Sequence, residues 1–159
     1  MNTNTIVLTG ATGFLGSHIL KGLVHTNTYH VVVLKRSFSN LTRIANLLQR
    51  HDIEYLNVDL EENTIKQRFS KGDISAVIHC ATEYGRGRKP IANVLRANLI
   101  FPINLLDMCV EFGVDVLSIL IPTSTNPLYN IHTCWIIRYQ KKAFCYGCHT
   151  LPTNCVSQT

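Results

Sequence analysis

The chain has 159 residues, 46% of them apolar and 16% charged, a balance that fits one domain with a real core and excludes a disordered chain. Its 15 Lys and Arg outnumber 10 Asp and Glu, but they are scattered, and the one dense run, Arg86-Gly87-Arg88-Lys89, has no aromatics interleaved for base stacking. A nucleic-acid partner is therefore not expected, whereas a phosphate-bearing small molecule suits the same positive excess.

In chain order, Thr5-Ile6-Val7-Leu8-Thr9 is a short β-branched run and reads as a buried strand. Glycines at 10, 13 and 16 follow, and then a helix carries Leu15, Ile19, Leu20 and Leu23 on one face. Val31 to Leu34 is a second buried strand. Residues 39–51 open on a Ser39/Asn40 cap and place Leu41, Ile44, Ala45 and Leu48 at helical spacing. A third strand runs from Ile53 to Val58, a short charged helix over 62–70, and a fourth strand from Ala76 to His79. A long helix from Ile91 to Phe112 carries Val94, Leu95, Leu99, Leu105, Leu106 and Met108, ends at a Gly113 cap, and is kinked or broken at Pro102. Val114 to Ile121 is a fifth apolar segment.

Continuous rather than alternating hydrophobicity implies strands buried on both faces. The expected fold is α/β, a Rossmann-like, doubly wound parallel sheet of about five strands. Beyond Pro122, Thr, Asn, Cys, His and isolated aromatics follow neither helical nor strand periodicity. The division is therefore a Rossmann-like domain over 1–121 and an irregular tail over 122–159. The polar start, Met1 to Thr5, is unlike a signal peptide, and no apolar run has the length of a membrane span; a cytoplasmic chain with no membrane partner is expected.

Thr9-Gly10-Ala11-Thr12-Gly13-Phe14-Leu15-Gly16 is the most informative stretch. A nucleotide fold needs a tight turn at the strand's end, a residue without Cβ where backbone meets pyrophosphate, and close packing of helix on strand. Three glycines supply these, and the helix that follows points its first amides at the phosphate. The Gly-x-x-Gly-x-x-Gly spacing resembles the short-chain dehydrogenase/reductase superfamily, and more narrowly its extended branch, the NAD(P)-dependent epimerases and dehydratases of nucleotide sugars. The resemblance covers residues 5 to about 116.

That resemblance implies roles for further residues. Asp59, in Val58-Asp59-Leu60, sits where the family has an Asp beside the adenine, with Leu60 next to it. His79-Cys80-Ala81-Thr82 matches the family's His-x-Ala-Ala motif beside the nicotinamide ribose, with Thr82 in place of the last Ala. Asn98 matches the Asn of the family's long fourth helix. Plain structural readings stay open for these: Asp59 as a helix cap and His79 as a strand-end histidine. After the second strand, Lys35-Arg36-Ser37 stands where NAD-specific members place an acid for the ribose 2′-hydroxyl. These three suit a 2′-phosphate, so NADP is the favoured cofactor, with NAD as the alternative. The cofactor-binding set is thus Gly10, Thr12, Gly13, Phe14, Leu15, Gly16, Lys35, Arg36, Ser37, Asp59, Leu60, Cys80, Ala81, Thr82 and Asn98.

The family moves a proton with a Tyr-x-x-x-Lys pair, which this chain does not spell: Tyr129, Tyr139 and Tyr146 are followed four residues on by Thr133, Ala143 and Thr150. The family's C-terminal substrate part is also missing, so the fold is incomplete and no catalytic residue is assigned. The codons beneath the tail suggest why. Read one base out of step, Leu120-Ile121-Pro122 allows Asn-Thr-Asp, and Ile136 to Lys141 allows Tyr-Thr-Leu-Ser-Lys-Lys. A single-base frame change near residues 114–119 would leave such a tail.

The function expected is that of an NAD(P)-dependent sugar-nucleotide oxidoreductase or epimerase, with a 4-keto reductase serving polysaccharide biosynthesis favoured, here as its inactive dinucleotide-binding half. The partners implied are the dinucleotide, a nucleotide sugar for the full-length relative and, for the intact family, a second copy of the chain. Two other readings stand beside it. A non-catalytic dinucleotide sensor would keep the fold without the Tyr/Lys pair. A metal protein would use Cys145, Cys148, His149 and Cys155, although their short spacing lacks a second knuckle, and the Cys-x-x-Cys-His spelling of haem attachment would need an oxidising compartment.

Overall fold

The computed structural model of the chain describes residues 4–58, 62–85, 87, 89–122, 134–140 and 143–149, the last two segments by their backbone. The elements are β1 (Asn4–Thr9), α1 (Phe14–His25), β2 (Tyr29–Lys35), a 3-10 helix (Thr42–Leu47), β3 (Ile53–Asn57), α2 (Glu62–Phe69), β4 (Ile74–His79), α3 (Ile91–Leu95), a π-helical turn (Arg96–Ile100), α4 (Phe101–Glu111), β5 (Val116–Pro122), β6 (Cys134–Gln140) and β7 (Ala143–His149). They form one sheet in the order β3-β2-β1-β4-β5-β6-β7. The pairs β1–β2, β1–β4, β2–β3 and β4–β5 are all parallel, so the five-stranded parallel sheet is present. Its order reverses between β1 and β4, and the crevice outside the carboxyl ends of the strands at such a reversal is where ligands bind.

Strand residues alternate between two cores. Val7, Val32, Leu34 and Val77 face Phe69 of α2 and Leu105 of α4. Leu8, Val31 and Val33 face Leu20 and Val24 of α1 and Ile44 of the 3-10 helix. Each strand keeps its period of two, but helices cover both faces, so both sets are apolar. Burying each such side chain contributes roughly 1.5–3 kcal/mol. Arg68 is a charged exception at 5% exposure. It gives Nε to Glu54 at 2.9 Å and two nitrogens to Asp73 at 2.6 and 3.0 Å, so its charge is paired on both sides.

Two expectations are corrected, for the 39–51 helix and for the tail, and the expected break at Pro102 takes a definite form. The helix expected over 39–51 is a short 3-10 helix, and its inward residues are Leu41, Ile44 and Leu47, spaced by three, while Leu48 is exposed. The long helix is interrupted. Pro102 has no N–H to give the Asn98 carbonyl, so the chain widens into the π turn, and α4 restarts with the proline in its first turn. Leu105, Met108 and Cys109 are buried there, while Leu95 and Leu99 stay about half exposed at 53% and 52%. Finally, the tail beyond Pro122 carries two strands: β6 pairs antiparallel with β5, and β7 with β6. Trp135-Ile136-Ile137 and Tyr139 are strand formers, and two residues separate Gln140 from Ala143, the span of a tight hairpin.

Candidate functional site

The chain turns as soon as β1 ends. Gly10 adopts φ +71°, and the Gly13 amide donates to the Gly10 carbonyl at 2.9 Å. A Cβ on Gly10 would stand 2.6 Å from the Ala81 nitrogen, and one on Gly16 would stand 2.1 Å from the Gly10 oxygen. The protein's own packing demands both glycines: one seats the turn on the loop after β4, the other seats α1 on the turn. Gly13 is different. Its φ of −77° suits any residue, and a Cβ there would touch only the Gly10 oxygen, at 3.2 Å. It is exposed, it caps α1 without a side-chain hydrogen bond, and the first turn of that 12-residue helix holds no acidic residue. The first amides of a helix lack intrahelical acceptors, and the helix dipole favours an anion beside them. The exposed turn at the start of α1 is thus a cradle open to an anion.

The parallel register sets Thr9 beside His79. The Thr9 hydroxyl lies 2.7 Å from His79 Nδ1 and accepts the Ala81 amide at 3.3 Å. The hydroxyl has one proton and two acceptor sites, so it can hold the Ala81 amide and the His79 ring at once. The imidazole is 3% exposed and packs against Phe101, with ring centres 5.7 Å apart. Burial pushes its pKa down to about 4, so the ring is neutral. His79, Ala81, Thr82, Asn98, Pro102 and Ile119 line a hollow of about 100 Å³.

Asn98 reaches this region through the backbone of the loop after β4. Its Oδ1 accepts the Glu83 amide and its Nδ2 donates to the Glu83 carbonyl, both at 2.8 Å. The Glu83 carboxylate accepts Lys89 Nζ at 2.5 Å and the Gly85 amide at 3.2 Å, and lies 3.9 Å from Arg36 Nη1. Lys89 above all holds that carboxyl below the usual range, with help from the Gly85 amide and Arg36. At the end of β2, Lys35 donates to Asn57 at 2.6 Å, and the Arg36 guanidinium lies 4.7 Å from the centre of the Phe38 ring.

The structure therefore gathers Gly10, Thr12, Gly13, Phe14, Leu15 and Gly16 in the turn, sets Cys80, Ala81 and Thr82 against it, and puts Lys35, Arg36 and Ser37 at the end of the neighbouring strand. Asp59 and Leu60 lie outside the described residues. Two residues that shape the site escaped the sequence reading: Thr9, which joins His79 to Ala81, and Glu83. A signal for Glu83 was present, since it is the one acidic residue between Asp73 and Asp107.

A second hollow, of about 330 Å³, lies at the other end of the sheet among Asn27, His30, Arg50 and Asp52. Its arginine is committed to Asp52, twice at 2.8 Å, and to Asn27 at 3.2 Å. It is the larger hollow, but it has no bare helix N-terminus, so the chemistry singles out the glycine turn. Cys145, Cys148 and His149 belong to β7, known by its backbone, and Cys155 lies outside the described residues. Among the described residues no group of three or more His, Cys, Asp or Glu could hold a metal ion. Among them, too, no helix is long and apolar enough to cross a membrane.

Comparison with known proteins bears on this geometry. CDP-abequose synthase from Salmonella muenchen is 37% identical over 103 residues, which are 65% of this chain and 32% of that protein. UDP-glucose 4-epimerase from Caenorhabditis elegans is 30% identical over 126 residues, 69% of this chain and 35% of that protein. The chain thus spans about a third of the length of the curated relatives it matches. Among solved structures, UDP-glucuronic acid 4-epimerase from Bacillus cereus, in complex with UDP-glucuronic acid and NAD, has a TM-score of 0.64 at 22% identity, covering 79% of this chain and 42% of that one. At that identity the likeness is one of fold. A sequence model of the NAD dependent epimerase/dehydratase family matches residues 6–133, a span that holds the glycine turn, the end of β2, the loop after β4 and Asn98. The chain belongs to that NAD dependent epimerase/dehydratase family.

Proposed function

We propose that this chain is the dinucleotide-binding part of a sugar-nucleotide oxidoreductase or epimerase, and that the whole protein reduces a 4-keto sugar nucleotide with NADPH in the cytoplasm. The observation that carries the reading is the open cradle at Gly13, where the protein's packing crowds a Cβ far less than at Gly10 or Gly16, and where an approaching pyrophosphate would leave no room for one. Gly10, Thr12, Gly13, Phe14, Leu15 and Gly16 would hold that pyrophosphate. Lys35, Arg36 and Ser37 would meet the adenosine ribose, and Asp59 with Leu60 the adenine. Cys80, Ala81 and Thr82 would line the nicotinamide ribose, with Asn98 holding their loop from behind.

Once bound, the nicotinamide supplies the hydride; the residues of this chain bind and orient. Thr9 and neutral His79 fix the Ala81 amide, and Pro102 and Ile119 shield the hollow beside it from water. The basic turn after β2, the likeness to a CDP-abequose synthase and the overlapping-frame run beneath Ile136–Lys141 support a reductase among the family's reactions. In this reading the proton-donating Tyr and its Lys belong to that overlapping frame. The chain as written then binds dinucleotide and turns nothing over. The gene's nucleotide sequence decides the frame, since a gene in which no one-base shift opens Tyr-x-x-x-Lys there contradicts it.

The test of binding is a fluorescence titration of NADPH into the folded chain and into Gly13→Ala. Saturable binding is expected, weakened roughly tenfold by the substitution. The melting temperature should fall by no more than about 4 °C, because the Cβ presses on the Gly10 oxygen alone, at 3.2 Å. Equal affinity in the two chains would remove the pyrophosphate from this turn and overturn the reading.

A further inference from the structure

Glu83 is held as a fixed anion at the mouth of the proposed site. Asn98 pins its backbone from both sides, while Lys89 and the Gly85 amide anchor its carboxylate, whose residue side chain is only 15% exposed. Among the described residues, the other charged group within ion-pair reach of that carboxylate is Arg36, at 3.9 Å and 54% exposed. Arg36 belongs to the segment after β2, where a dinucleotide fold reads the adenosine ribose: an acid there accepts the 2′-hydroxyl of NAD, and an arginine meets the 2′-phosphate of NADP. This chain has no acid in that segment. One is delivered instead from the loop after β4, and it faces the arginine a 2′-phosphate would need.

Resting on the dinucleotide reading above, we infer that Glu83 is a positioning residue that sets the choice between NADP and NAD by competing with the 2′-phosphate for Arg36. The contact is long and half in solvent, so a phosphate can take the guanidinium from it; the competition tempers NADP binding without forbidding it. Lys35, bonded to the neutral Asn57 amide at 2.6 Å, keeps its charge beside the site but makes no ion pair with Glu83, so the competition falls on Arg36. A 2′-hydroxyl carries no charge and makes no such demand on Arg36, so NAD affinity is insensitive to Glu83. Glutamine at 83 gives up the charge and leaves the backbone clasp untouched, and its single amide oxygen keeps an acceptor for one of the two donors, Lys89 or the Gly85 amide.

The experiment is a parallel titration of NADP and NAD into the wild-type chain, Glu83→Gln, Arg36→Ala and the double variant, with each fold checked by circular dichroism. Glu83→Gln should raise the ratio of NADP to NAD affinity by about three- to tenfold. In the Arg36→Ala background the same change should move that ratio by less than about twofold. If Glu83→Gln alters both dinucleotides equally, or lowers NADP alone, or keeps its full effect without Arg36, the inference fails while the site stands. If the folded wild-type chain binds neither dinucleotide, the reading of the site fails and takes this inference with it.

Discussion

His79 ties the fold to pH. Its imidazole is buried, neutral and bonded through Nδ1 to Thr9, with a pKa near 4 against an ordinary value near 6.5. Above pH 6.5 neither the folded nor the unfolded chain binds a proton there, and stability is unaffected by this group. As pH falls from 6.5 towards 4, the unfolded chain takes up a proton that the folded chain refuses, and stability drains away by roughly 3 kcal/mol across that window. Urea melts at pH 7, 5.5 and 4.5 should show this loss in the wild-type chain. His79→Asn, which keeps an acceptor for Thr9 but does not titrate, should flatten it; parallel losses in the two chains would show that His79 does not titrate as described. The three glycines were legible because they follow a strand and open a helix. The partners that forbid a Cβ at Gly10 were not, since Cys80 and Ala81 come from the loop after β4, seventy residues away in sequence.

At the scale of elements, the π turn and Asn98 act together. Pro102 was a readable break, because a residue without N–H cannot continue the helical ladder. What was not readable is that the turn carries Asn98, whose side chain bonds both backbone groups of Glu83. Asn98→Ala removes two hydrogen bonds and should cost about 1–2 kcal/mol. A fall in melting temperature of about 2–8 °C follows from that cost. Amide exchange at Glu83 should speed up by at least tenfold, and dinucleotide affinity should weaken with the loosened loop. Unchanged exchange at Glu83 would mean that the clasp does not hold the loop. The 3-10 helix teaches a related lesson: Leu41, Ile44 and Leu47 are spaced by three, Leu41, Ile44 and Leu48 nearly fit 3.6, and only the packing against β2 decides between them.

For the molecule as a whole, the parallel sheet was legible because strands covered on both faces read as unbroken apolar runs, as at Val31–Leu34. The order of those strands places the glycine turn of β1 beside the loop after β4, and this juxtaposition makes separate motifs into one site. The tail was less legible, because β6 and β7 follow no clean alternation and their pairing with β5 is a long-range matter. What the whole account rests on is that a dinucleotide lies across the carboxyl ends of β1, β2 and β4. Amide chemical shifts of the ¹⁵N-labelled chain, followed as NADP and NAD are added, test this directly. The account predicts shifts concentrated at Ala11–Gly16, at Lys35–Ser37 and at Ala81–Glu83. Shifts at Asn27–His30 and Arg50–Asp52 instead, or none at all in a folded chain, would contradict it.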